Sequence, residues 1–518
     1  MKLAIGITAV QPQWSLLSGQ IGFPFSPLSS TEEISHSHIV TIIVSAKGSD
    51  NLRKNLLSYI HSGGSLLMEA PEAEWLFGIK SQRRYVDYIQ PRAESLFGNV
   101  LPGFIDASLT VPEEADDLFA NDGMNLVEIV REGKGSAVIL PGGLTGLLLN
   151  SDIRRRQFPS VSRYLPTERV ARCSKHTIRE IVQHSLEFLS RERKLPFVSL
   201  HPFPEGKPSC FNLRIDTDFA DEKHISDLYD LCRKHTISAS WFVETGSARE
   251  RLSQFEKMKD QEIGLHCFQH KVFKNYYESE TDIKHGKSLL TGDKISPSGY
   301  AAPFGEWNSS LAKAVESSGF KYSSEFGLAY DDHPFYPWLG DRFSSVLQLP
   351  VHPISAGRLK NAKHNEEDIK HYFAAVMDTN SAHRLPIFIY DHPSSANLDV
   401  LNWFMEQIQE KEISSVTLGG YAEWWKIRDR IKWGSDISTG KLTIKSSGIE
   451  KQAQLLVKNS DGSEAVTPMS DVITFNELDW QESTSLPTIV PMAVRNRISR
   501  KMLTNNFDHI RSKINPWK

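Results

Sequence analysis

At 518 residues, with 40% hydrophobic and 24% charged residues and a formal net charge of -4, the chain reads as an ordinary globular protein of about two to four domains. That balance gives no global bias toward nucleic acid or anionic lipid. The four cysteines, Cys173, Cys210, Cys232 and Cys267, form no CxxC pair, which argues against a disulfide framework and for a reducing, cytoplasmic setting.

The first residues, Met1 to Val10, carry one lysine and a short apolar run that Gln11-Pro12-Gln13 interrupts, the pattern of a first strand rather than a signal peptide. No run approaches the roughly eighteen apolar residues of a membrane span. Residues 1–200 read as an α/β domain. Ile39 to Val44 is a continuous apolar run, as in a strand buried on both faces. Leu52, Leu56, Tyr59 and Ile60 then share a helical face, Ser62-Gly63-Gly64 ends that helix, and Ser65 to Met68 begins another strand. This order resembles the flavodoxin-like architecture of class I glutamine amidotransferases. Those enzymes need a nucleophilic cysteine at a strand-to-helix elbow, and no cysteine precedes Cys173, so a scaffolding or ligand-gating role is expected here. Arg154-Arg155-Arg156 reads as a solvated loop, with phosphate binding as the sharper alternative. Four prolines between Pro196 and Pro208 read as a linker.

From 209 to 432 the pattern alternates strand and helix. Strands are expected at 211–215, 237–243, 262–266, 298–302, 321–326, 346–352, 385–391 and 414–418, which predicts a parallel sheet closed into a distorted (β/α) barrel. Chemistry should then sit at the carboxyl ends of those strands. A small all-β module is expected at 434–480, from strands near 440–445, 453–458 and 472–475. Residues 481–518 read as a basic amphipathic tail, with a peripheral membrane or protein contact as the alternative to simple packing.

Four stretches carry candidate chemistry. Phe211, Leu213 and Ile215 alternate along a strand that runs into Asp216-Thr217-Asp218, two acids that can serve as a base and a metal ligand. His266 and His270 stand four apart at a strand end, a spacing that suits two imidazole ligands on a zinc-like ion. Pro303 and Gly305 force a tight loop, and Asn308 can cap the following helix. Leu385 to Tyr390 is an apolar strand delivering Asp391 and His392, which Pro393 then ends. Each stretch alone has a bland structural reading.

Together, in this order, they resemble the NodB-type polysaccharide deacetylases of carbohydrate esterase family 4. The resemblance implies that Asp216 is the base, Asp218, His266 and His270 hold a divalent ion (zinc above others), and His392 is the acid. It implies that Pro303, Phe304, Gly305, Trp307 and Tyr390 border the substrate. The family's third motif carries an arginine that orients the base, and here that position holds Ala301. Arg214, two before Asp216, is a substitute by charge if the strand stays regular. The fourth motif has no clear register, with Glu325 and Asp331-Asp332 nearby. The implied activity is removal of an N-acetyl or N-formyl group from an amino sugar or glycan precursor. A catalytically silent glycan- or partner-binding barrel is the alternative, and a two-carboxylate glycosidase, which would not need His266 and His270, is a third reading.

Overall fold

The structure, a computed structural model, describes residues 2–28, 34, 39–120, 123–158, 166–446 and 452–482, so nearly all of the expected basic tail lies outside the described residues. The chain divides into two compact units. One comprises residues 1–150, 173–207 and 424–486, and the other residues 151–172 and 208–423 together with the end of the chain.

In the first unit, strand Ile5–Ile7 lies between Phe25–Pro27 and Thr41–Val44, and the sheet continues through Ser65–Glu69 and Gly135–Leu140, all parallel. Asn125–Glu132 and Asp117–Phe119 extend it antiparallel. Ile42, Val44, Leu66, Met68 and Ile139 are fully buried, because a parallel sheet with helices against it offers no solvent face. Helix Asp50–His61 buries Leu56, Tyr59 and Ile60, and Gly63 then takes a φ of 107° that a side chain would resist. At the carboxyl end of Ser65–Glu69, Glu69 is half-buried and accepts hydrogen bonds from Gly143 N, Thr145 N and the Thr145 hydroxyl.

The strands expected beyond Trp433 are present, as Lys441–Ser446, Gln454–Lys458 and Val472–Thr474, but they do not stand as a module of their own. They group with the amino-terminal residues, and Gln454–Lys458 pairs antiparallel with Phe197–Leu200. The stretch expected to link two domains is thus partly a sheet strand. Conversely, the hairpin Ile153–Gln157/Thr167–Ala171 groups with the second unit. Within that hairpin Arg156 is buried and donates to Arg172 O at 2.8 Å, so the three arginines are not a solvated loop.

The second unit is built on a curled parallel sheet. Its strands are β1 (Cys210–Asp216), β2 (Ser240–Glu244), β3 (Glu262–Cys267), β4 (Gly299–Tyr300), β5 (Tyr322–Ser323), β6 (Leu347–Gln348), β7 (Ile387–Asp391) and β8 (Ser414–Ser415). The order is β6-β5-β4-β3-β2-β1-β7, with β8 beside the start of β1. The chain leaving β6 reaches β7 at His352, whose N–H donates to Phe388 O at 2.8 Å, so seven strands close the barrel. His352 packs here, its ring 3.0 Å from the Tyr372 hydroxyl, and burial pushes its pKa down to about 4. Among the described residues no helix is long and apolar enough to cross a membrane, and all four cysteines are free and buried.

The amino end of the barrel is tied by Glu262, the first residue of β3. Its carboxylate accepts from the Tyr322 hydroxyl at 2.7 Å, the Ser240 hydroxyl at 2.7 Å and Gly419 N at 2.9 Å, joining β2, β3, β5 and the helix that begins at Leu418. Among the described residues the fully buried Tyr322 hydroxyl has no other acceptor than Glu262. Glu262→Ala should therefore lower unfolding stability by about 2–4 kcal/mol in chemical denaturation. Because His266 sits at the opposite end of the same strand, the variant's metal content measured below its melting transition should match that of the parent chain.

Candidate metal centre and active site

β1 brings the first two acids to the carboxyl edge of the barrel. The strand is regular through Asp216, so Arg214 and Asp216 fall on the same side. Arg214 Nε donates to Asp216 Oδ1 at 2.8 Å and Nη2 donates to Oδ2 at 2.6 Å. The guanidinium is fully buried, lies 5.5 Å from the Phe242 ring centroid and 5.8 Å from that of Tyr390, and turns its Nη1 to Ser324 O. Burial works against the charge on Arg214, but the Asp216 carboxylate outweighs it and raises the arginine's pKa. The pairing expected of an arginine at position 301 is made here by Arg214, from within β1. Ala301 is fully buried, and its carbonyl accepts from His266 Nδ1 at 2.7 Å.

Past β1 the backbone turns sharply, with φ near 21° at Asp218 and 22° at Phe219, sparsely populated values for residues with a side chain. The turn sets the Asp218 carboxylate opposite the end of β3. His266 Nε2 and His270 Nε2 each stand 3.1 Å from Asp218 Oδ1, and His392 Nε2 stands 3.2 Å from Oδ2. Burial opposes ionisation of Asp218, yet the three imidazoles overcome it and hold its pKa well below the usual carboxylate range. Burial likewise opposes protonation of His270 and His392, and the facing carboxylates more than offset it, raising both.

The donor set fits a divalent cation. One ligand atom from each of Asp218, His266 and His270 lies within 4.8 Å of the others. With Nδ1 of His266 committed to the Ala301 carbonyl, a neutral His266 aims the Nε2 lone pair at Asp218 Oδ1. That oxygen is buried and accepts no well-aligned hydrogen bond. Two imidazole nitrogens and a carboxylate oxygen converging at this range are a donor set that suits a zinc-like ion. Cys267, between the histidines, is fully buried, and burial drives its thiol pKa far up, so it serves as core filler and not as a ligand.

The supports for this centre were only partly legible in the sequence. The loop to His270 is held by Asp282, which accepts from Phe268 N at 3.0 Å and Gln269 N at 2.8 Å. Asp391 is buried and accepts from His392 N at 2.8 Å and from Asn397 at 2.9 Å, fixing the backbone that carries His392. Glu325 accepts from Ala302 N at 3.2 Å, and burial raises its pKa to about 7. It stands beside the Arg214 pair and does not line the cavity. Asn308 caps helix Ser309–Ser317, accepting from Leu311 N at 2.8 Å.

Asp216, Asp218, His266, His270 and His392 line one cavity of about 270 Å³, together with Phe304, Gly305, Phe326, Tyr390, Ser355, Gly357, Arg358 and Asn361. Of the expected substrate contacts, Phe304, Gly305 and Tyr390 are therefore at the cavity. Pro303 and Trp307 are not: both are buried, Pro303 setting the turn and Trp307 packing beneath it. The turn is tight enough that Phe304 and Gly305 have φ of 59° and 58°, and a side chain at 305 would collide with the Phe326 ring. Phe304 and Phe219 remain exposed, and both rings meet His270 edge-on, with centroids at 4.7 and 5.5 Å. Arg358 and Asn361 escaped the sequence reading because nothing in their local pattern marks them. They reach the cavity only through the fold.

Residues 207–323 match the family model described as polysaccharide deacetylase. A peptidoglycan deacetylase from Helicobacter pylori (strain ATCC 700392 / 26695) is 30% identical over 137 residues, 25% of this chain and 45% of the relative, so the chain spans less than half that protein's length. Among solved structures, a Mycobacterium smegmatis protein assigned to the polysaccharide deacetylases matches with TM-score 0.37 and 17% identity, over 44% of this chain and 93% of that one. A family 4 carbohydrate esterase from Streptomyces lividans in complex with acetate gives TM-score 0.30 and 14% identity, over 40% and 91%. A CE4 family pseudoenzyme from Bacillus anthracis gives 0.32 and 13%, over 42% and 66%. Residues 207–323 of the chain are thus similar in sequence to the polysaccharide deacetylases.

Proposed function

We propose that the barrel is a metal-dependent hydrolase that removes an N-acetyl group, or the smaller N-formyl group, from an amino sugar within a glycan or glycan precursor. The observation that carries the reading is the convergence of Asp218 Oδ1 with the Nε2 atoms of His266 and His270 in a cavity that Asp216 and His392 share. The name of the Helicobacter relative, a peptidoglycan deacetylase, supports an N-acetylated glycan as the substrate class.

Asp218, His266 and His270 would hold the ion. A bound divalent ion, zinc being the best match to one carboxylate and two imidazoles, supplies Lewis acidity and can bring the pKa of water from 15.7 toward about 7. Asp216 takes a proton from the attacking water. Its bidentate pairing with Arg214 leaves it a carboxylate of fixed orientation, so proton transfer needs no rearrangement of the base. His392, lining the same cavity, donates a proton to the departing nitrogen, since an amide expels its amine only once that nitrogen is protonated. Phe304 and Phe219 offer aromatic faces beside His270 against which a sugar ring can pack. The catalytically silent reading rested on the alanine at 301. Arg214 already makes the pairing that a third-motif arginine would make.

Two expectations separate the roles. Asp218→Ala and His270→Ala should strip the metal, read by elemental analysis of the purified chain. His392→Ala should retain it and slow acetate release by about 10²–10⁴-fold. Equal metal loss in all three variants would contradict the assignment, and a metal-free His266→Ala chain that still cleaves the glycosidic bonds of an N-acetylated oligomer would favour the two-carboxylate glycosidase. A chelator should abolish acetate release from N-acetylglucosamine oligomers, and stoichiometric zinc should restore it.

Arg214 is a positioning residue. Arg214→Met leaves a buried carboxylate without its partner, and stability should fall by about 3–5 kcal/mol. Where the variant stays folded, kcat should drop with metal content unchanged. A variant with normal kcat would remove Arg214 from the mechanism.

A further inference from the structure

One wall of the cavity is unexplained by hydrolysis itself. Helix Ala356–Asn361 places Arg358, and Asn361 one turn later, along the cavity margin. Arg358 is the one cation among the cavity-lining residues besides whatever charge the histidines carry. Its Nε stands 2.5 Å from Glu168 Oε2, and its guanidinium also meets the Tyr390 hydroxyl. Glu168 is 6% exposed at its side chain, while 47% of the Arg358 side chain stays open. The guanidinium is therefore fixed along one flank by a buried carboxylate and open along the rest.

Glu168 comes from the hairpin Ile153–Gln157/Thr167–Ala171, outside the stretch that matches the family model. The hairpin is joined to the barrel unit by Ala171 N donating to Phe326 O at 3.0 Å and by Phe158 set edge-on to Tyr330 at 5.7 Å. Its next residue, Arg169, pairs with Glu306, directly after the Pro303–Gly305 turn. Adjacent residues on one strand thus hold Arg358 and the residue that follows the Pro303–Gly305 turn. Glu168 occupies one flank of Arg358 only, and the rest of the guanidinium stays open at the cavity margin.

We infer that Arg358, with Asn361 beside it, forms a subsite for an anionic group carried by the glycan next to the reacting amino sugar, and that Glu168 orients it. A guanidinium presents five N–H donors in one plane, a fork that matches a carboxylate or phosphate. A neutral sugar hydroxyl would be served as well by an amide, without the cost of burying Glu168 to steer a cation. The inference rests on the proposed deacetylase reading and narrows its substrate to acidic glycans.

The test compares two N-acetylated oligomers of equal length. One is neutral, built from N-acetylglucosamine. In the other, N-acetylmuramic acid alternates and brings a carboxylate on each lactyl group. The full-length, zinc-loaded chain should favour the acidic oligomer in kcat/KM by roughly 10-fold or more at low salt, and about 0.5 M salt should narrow the ratio. Arg358→Gln should bring that ratio close to one through KM, and Arg358→Lys should keep part of it. Glu168→Gln should reduce the ratio as well. A parent chain without preference, or an Arg358→Gln chain whose ratio is unchanged, overturns the subsite. If neither oligomer releases acetate, the deacetylase reading fails separately. Calorimetric titration of both oligomers then decides the subsite, and equal or absent binding of the acidic one overturns it.

Discussion

The site is organised by a buried ion pair, Arg214 with Asp216, inside a strand whose residues are all buried. Taking two charges out of water costs several kcal/mol each, and their attraction repays this only with good geometry and further hydrogen bonds. Here the pairing is bidentate and the remaining guanidinium face goes to Ser324. Such a pair is a poor way to gain stability and a good way to fix a carboxylate. It also dictates the neighbouring side chains. Phe242 and Tyr390 flank the guanidinium, and Tyr390 then forms part of the cavity wall. The position that would have held a third-motif arginine is left as Ala301, small enough that its carbonyl can receive His266 Nδ1.

That last contact links base and metal centre. A histidine ligand needs its second nitrogen occupied so that the tautomer and ring orientation are set. His266 gets this from the backbone of β4's continuation, and Asp282 holds the backbone that leads to His270. The sharp turn at Asp218 and Phe219 completes the set. Two stretches distant in sequence, the turn after β1 and the end of β3, supply the three donors, and neither could assemble the set alone. The strained turn, the buried acceptor at Asp218 Oδ1 and the fully buried Arg214 are local costs that the closed barrel sustains.

How much of this was legible follows from where the information sits. All eight expected barrel strands are found, because a parallel strand between helices is an apolar run with punctuation at both ends, and both signals are local. β4, β5 and β6 shrink to two residues each, since irregular loops from the cavity replace most of their ladder. Asp216, Asp218, His266, His270 and His392 could be named because strand ends deliver them at motif spacing. The Arg214 substitution was readable too, from the alternation of one strand. Trp307 shows the limit: a large aromatic beside a tight loop looks like a sugar platform, and burial makes it a packing residue. The carboxy-terminal strands failed as an independent module for a related reason. Their edge is completed by Phe197–Leu200, more than two hundred residues upstream, and no local pattern records a partner that far away.

The hairpin at 153–171 carries that argument further. By sequence it belongs to the amino-terminal part of the chain, and its three arginines suggested a solvated loop. In the fold it is an antiparallel pair that groups with the barrel unit, where alternation along the second strand sends Glu168 and Arg169 to different partners. A barrel with only the matched motifs would have the ion site and the base, with the Arg358 helix and the Glu306 turn free to move independently. One strand, through Glu168 and Arg169, ties down both the Arg358 helix and the residue after the Pro303–Gly305 turn. Catalytic motifs can then stay as they are while selectivity is set from outside them, by two residues that no motif contains.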